Sequence, residues 1–154
     1  MYKRQGWQGA GDAQTNYENG IRASFEEMRA KAPKGSYTQE YDDDYITGGN
    51  VAWNDADGFE ANLERIITQK WLGIYPNSEE AWAEFRRTGY PKLSPVKQSL
   101  EPTINPANGE FIKKLRYVDN ELNNNKEYAT DPALNGGQGD GLSVRVWWDT
   151  ARYK

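Results

Sequence analysis

Histidine and cysteine are both absent from the 154 residues. Their absence removes Ser-His-Asp and Cys-His nucleophiles, imidazole and thiolate zinc sites, and every disulfide. Carboxylate chemistry, an oxygen-ligand metal site and plain binding survive. No cofactor is implied. Aliphatic material is also scarce: apolar residues make up 36% of the chain, and mean hydropathy is −0.99. No run approaches the ~18 apolar residues of a membrane span, and no apolar h-region of a signal peptide stands at the start. Net charge is −4 with no Lys/Arg-rich run, so the basic face that a nucleic-acid partner requires is missing.

What the chain does have is rings. Aromatic residues reach 13%, including six tryptophans and ten tyrosines. That content argues against disorder, and with few aliphatics the rings must supply much of the buried area. The length suits one domain or part of a larger one.

Ala13, Tyr17, Ile21, Phe25 and Met28 recur at steps of four and three, one stripe of a helix ended by Pro33 and Gly35. Gly20 inside it costs about 1 kcal/mol relative to alanine, which predicts a close backbone approach there. The next stretch, "YTQEYDDDYITGGNVAWNDADG", has no helical period and reads as a loop. Asp57 and Glu60 form a capping-box pattern ahead of a second helix with Phe59, Leu63, Ile66, Ile67, Trp71 and Ile74 on its buried stripe. Pro76 stops it. Asn77 and Glu80 repeat the pattern for a third helix through Thr88, with Glu79 and Glu80 near its positive end and Arg86 and Arg87 near its negative end. Gly89 suits the left-handed position after it, and Pro91 forbids continuation. The short "YPNS" connection predicts an antiparallel hairpin with Trp71 and Trp82 on one seam.

Beyond Pro91 prolines and polar runs dominate, with one short helix expected near Asn120–Ala129 and a flexible "NGGQGDG" loop. The closing "LSVRVWWDT" alternates Leu142, Val144, Val146 and Trp148 against Ser143, Arg145, Trp147 and Asp149, an extended segment packed on one face. Trp71, Trp82 and Trp148 lie on apolar stripes and read as core.

Met1–Gln5 stands apart. "MYKRQ" back-translates as GTG TAT AAG AGA CAG, which matches the end of a transposase library tag. Residues 1–5 are therefore expected to be a sequencing scar, and 6–154 the C-terminal part of a longer domain.

Candidate sites are few. Asp42, Asp43 and Asp44 offer oxygens to calcium but lack the spacing and glycine of a calcium loop, so a solvated loop is the plainer reading. Among 23 acids no pair is singled out for the two-carboxylate chemistry of glycosidases. "WNDAD" sets Trp53 beside amides and carboxylates, a combination that suits sugars, whose C–H faces stack on rings while hydroxyls bond to polar groups. Tyr41, Tyr45 and Trp53 are the candidate glycan-binding residues; a loop ring tucked against the second helix is the competing reading.

"YENGIRASFEE", "QKW", "EAWAEFRRTGYP", "LRY" with its asparagine-rich sequel, and "RVWWD" appear in this order. Together they resemble the C-terminal half of SusD/RagB-like proteins, in the branch described as starch-binding associating with outer membrane. The resemblance implies a mainly α, SusD-like helical fold related to tetratricopeptide helix pairs, with long irregular loops and an extended C-terminal segment. It implies no enzyme. It implies an outer-membrane lipoprotein on the extracellular face that captures a polysaccharide or oligosaccharide beside a SusC-like TonB-dependent transporter, held by a lipid anchor this chain lacks. The Glu80–Pro91 block is read as scaffold. The alternative function is a helical protein-interaction module that docks the transporter without touching sugar.

Overall fold

A computed structural model describes residues 8–36, 42–131, 133 and 139–149; Met1–Gln5 lies outside them. The chain is helical, with no strand among the described residues, and no described helix is long and apolar enough to cross a membrane. It divides into two compact units, Met1–Ala81 and Trp82–Lys154.

In the first unit, α1 (Ala13–Lys31) starts at Asp12, whose Oδ2 accepts from Thr15 N–H at 2.9 Å. Tyr17 and Ile21, one turn apart, are buried. Phe25 is half-buried, while Met28 is 55% exposed, so the stripe is covered in its middle and open at its end. The segment expected to be a loop contains α2 (Asp42–Thr47). Six residues are too few to display a helical period, and an isolated helix of that length is not stable. It exists because Ile46, 2% exposed, packs with Tyr17 and Ile21. Gly48 follows, and no side chain fits there, since a Cβ would stand 2.8 Å from Asp44 O.

The capping box expected at Asp57 does not form. A 3-10 turn over Asp55–Asp57 precedes α3 (Gly58–Gly73), and Asn54 Oδ1 accepts from Ala56 N–H at 3.0 Å to start it. The Asp57 carboxylate turns instead to Arg65 and to Asn54 Nδ2. Asn62 is buried with both amide ends satisfied, donating to Asn54 O and accepting from Arg65. Of the predicted α3 stripe, Ile67 is buried, whereas Phe59 is 48% and Trp71 37% exposed. Among the described residues the expected close approach at Gly20 is absent, with none of their atoms outside its own helix within 4 Å of a Cβ placed there. Gly73 is the glycine that meets α1, its Cβ position 3.0 Å from Ser24 Oγ.

The division between units falls inside α4 (Ser78–Thr88). Asn77 Oδ1 accepts from Glu80 N–H at 3.1 Å, as the pattern predicts. At the far end Gly89 takes φ +78° and donates to Phe85 O at 2.7 Å. Thr88 is wholly buried: its hydroxyl donates to Glu84 O at 2.7 Å and accepts from Tyr90 N–H at 3.1 Å.

The second unit carries two short helices, α5 (Asp119–Asn124) and α6 (Lys126–Ala129), where one was expected. Elsewhere loops are tied by a few hydrogen bonds and a ring pair. Leu142 O accepts from Lys113 N–H, Leu142 N–H donates to Thr103 Oγ1, and the rings of Phe85 and Phe111 meet edge-on at 4.9 Å. The terminal segment ends in a turn closed by Asp149 N–H to Val146 O. Val144 is 2% exposed as the alternation predicts, but Trp148, expected in the core, is 37% exposed.

Candidate functional site

Two of the three candidate residues fall in one cluster, against the buried Tyr17, Ile21 and Ile46. Tyr45 sits on α2, its ring edge-on to Phe25 at 5.4 Å and its hydroxyl donating to Gln69 Oε1 at 2.9 Å. Trp53 follows two glycines and lies 5.5 Å from the Tyr17 ring, with its indole N–H donating to Asp55 Oδ1 at 2.9 Å. Both rings are half-buried, each with its polar atom held by a neighbour. Tyr41 lies outside the described residues. Tyr17 Oη donates to Val51 O at 2.7 Å, and burial, with Tyr45 adding, pushes its pKa up to about 12. The Tyr17 hydroxyl therefore stays protonated at neutral pH. Gln69 could not be tied to Tyr45 from the sequence, because it comes from α3, 24 residues away from its partner.

Of the acidic run, Asp43 Oδ1 accepts from Arg22 Nη2 at 3.0 Å. Among the described residues no three acidic side chains gather in a way that would hold a metal ion.

The second unit gathers charge and rings. Arg86 was read as a helix-end charge. Its guanidinium instead lies 3.7 Å from the Trp82 ring centre and 5.2 Å from that of Trp148, donating to Lys113 O at 2.9 Å. Trp82 donates its indole N–H to Ile112 O at 2.8 Å. Asp149, with 6% of its side chain exposed, accepts from Arg145 Nη1 at 2.6 Å and faces Lys113 Nζ at 3.9 Å. Burial pushes the Lys113 ammonium down; Asp149 opposes this, while Arg145 and Arg86 add to it. Trp147 is 91% exposed. The alternation of "RVWW" had placed it on the outer face beside Arg145, the one signal that pointed to it.

Residues 4–149 match a family described as SusD-like, Susd and RagB outer membrane lipoprotein. Among solved structures, a SusD homologue from Bacteroides thetaiotaomicron VPI-5482 is 32% identical with a TM-score of 0.71, covering 96% of this chain and 35% of that one. A chitin-binding SusD homologue from Flavobacterium johnsoniae is 34% identical with a TM-score of 0.68, covering 96% of this chain and 33% of that one. A third, from Bacteroides ovatus ATCC 8483, is 31% identical with a TM-score of 0.69, covering 94% and 34% respectively. The chain thus spans about a third of the length of the structures it matches. Comparison with the curated proteins gives no match.

Proposed function

The chain belongs to the SusD-like family of outer membrane lipoproteins, and from that premise we propose that it serves non-catalytic capture of a glycan, starch or another polysaccharide, on the extracellular face of the outer membrane. Uptake would proceed through a SusC-like TonB-dependent transporter. The observation that supports this most is the likeness to a chitin-binding relative along nearly the whole chain. Locally, Tyr45 and Trp53 offer half-buried ring faces whose hydroxyl and indole N–H are fixed by Gln69 and Asp55. Rings held in this way stack on a sugar with little further loss of side-chain freedom. Tyr41 completes the candidate set.

Affinity electrophoresis of the intact protein through gels containing soluble chitin or starch tests the reading. Retardation is expected. Changing Tyr41, Tyr45 and Trp53 to alanine together should weaken it by about tenfold or more, since each ring contact is worth roughly 0.5–1.5 kcal/mol beyond burial. Unchanged mobility of the variant would remove these residues; mobility unaffected by any sugar would remove the function.

A second reading, docking of the transporter without sugar contact, is favoured by one feature. Leu72 is 49% and Tyr75 79% exposed at the end of α3, beside Trp71, a small apolar patch of the kind that marks protein contacts. Capture of the transporter with no gel retardation would select it.

A further inference from the structure

Two charged clusters occupy the second unit, and they differ in balance. Around Asp140, Lys114 and Arg116 are answered by Asp140 and Glu101: Lys114 Nζ lies 2.5 Å from Asp140 Oδ1, and Arg116 lies 3.6 Å from Asp140 and 4.0 Å from Glu101. Around Asp149, counting the described residues, three cations, Arg86, Lys113 and Arg145, face one carboxylate. Arg145 takes the near oxygen at 2.6 Å. Lys113 Nζ is left with the far oxygen at 3.9 Å, beyond hydrogen-bond distance, and with the face of the Phe85 ring at 5.1 Å. An ammonium with 15% of its side chain exposed ordinarily finds acceptors for its protons; among the described residues this one has none at bonding distance.

The surplus lies beside rings. Trp148 flanks Arg86, and Trp147, almost fully exposed, stands in the turn that Asp149 closes. A tryptophan free on its faces is a stacking platform, and Arg145, two residues before it in the chain and paired with the Asp149 that closes its turn, supplies the complement of a negative group.

We propose that Lys113, Arg145 and Trp147 form a subsite for an anionic sugar, a glycan unit carrying a carboxylate or a sulfate. The ring stacks on Trp147 while the acid takes the open donors of Lys113 and Arg145. Bound negative charge would also relieve the repulsion among the three cations, which acts together with burial to lower the Lys113 pKa. The proposal rests on the glycan-capture reading and deepens it by naming a charge class of ligand.

The test is calorimetric titration of the intact protein with an oligogalacturonate, a sulfated galactan oligosaccharide and a neutral chito-oligosaccharide of equal length. At least one acidic probe should bind tighter than the neutral one and lose affinity as sodium chloride is raised. The probe preferred tells carboxylate from sulfate. Lys113→Met and Arg145→Gln should each weaken acidic binding by about tenfold or more, the size of a lost hydrogen bond to a charged group, and leave neutral binding unchanged. Trp147→Ala, at a side chain that packs on little, should weaken acidic binding without altering the melting temperature. Equal affinity for acidic and neutral probes, or variants that bind acidic probes as the parent does, would overturn the subsite while leaving glycan capture standing. Failure of every probe to bind would overturn the subsite, and gel mobility unaffected by any sugar would overturn glycan capture with it.

Discussion

Tyr17 shows how one polar atom on an apolar stripe becomes a constraint. Its ring is 7% exposed, so its hydroxyl needs a partner, and Val51 O provides one at 2.7 Å. Tyr17→Phe removes the donor and leaves that carbonyl unanswered, which should cost about 1–2 kcal/mol in urea unfolding at pH 7. The pH dependence follows from the raised pKa of about 12 against the ordinary 10.0. A folded pKa above the unfolded value means the contribution is fully present below pH 10 and is lost as pH rises through about 12. Stability of the parent should therefore fall across that window more steeply than that of Tyr17→Phe, read from urea midpoints at pH 9, 10.5 and 11.5. Tyr17 was legible as a stripe residue from its spacing. Its acceptor was not, because Val51 lies 34 residues away in a loop with no periodicity.

The helices separate into those the chain encodes locally and those that packing creates. α1 and α4 carry their own signals: Asn77 at the start of α4 and Gly89 at its end act as the pattern predicts, and the structure adds Asp12 as the cap that starts α1. α2 carries none and is held through Ile46. At Asp57 the pattern was present and the cap was not, because Arg65, two turns along, competes for the carboxylate. The two glycines of the helical pair make this distinction measurable. Gly20 sits in open space with ordinary helical backbone, so Gly20→Ala should stabilise by about 0.5–1 kcal/mol and raise the melting temperature. Gly73→Ala should gain less or lose, since its methyl meets Ser24 Oγ at 3.0 Å and Ser24 must move. Thermal melts by circular dichroism give the order directly; equal gains would mean that the two helices yield easily at Ser24.

For the molecule as a whole, the apolar surface left open matters most. Trp71, Leu72 and Tyr75 are exposed together where α3 ends. A patch of this kind favours self-association. Leu72→Lys with Tyr75→Ser should lower the weight-average mass in sedimentation at high concentration and leave the far-ultraviolet spectrum unchanged. No change in mass would show that other exposed side chains govern association.

By itself the sequence determined the family, the helical class and the places where α1, α3 and α4 begin or stop. These rest on local chemistry: caps, prolines, left-handed glycines and a repeat of apolar side chains, each readable within a few residues. Tertiary structure alone decided that Ile46 builds a helix, that Arg86 leaves its helix end to lie between two indoles, and that Lys113 and Arg145 converge on one buried carboxylate. Such pairings join residues far apart in the chain, and a carboxylate or a ring offers the same chemistry to many partners until the fold brings one of them close.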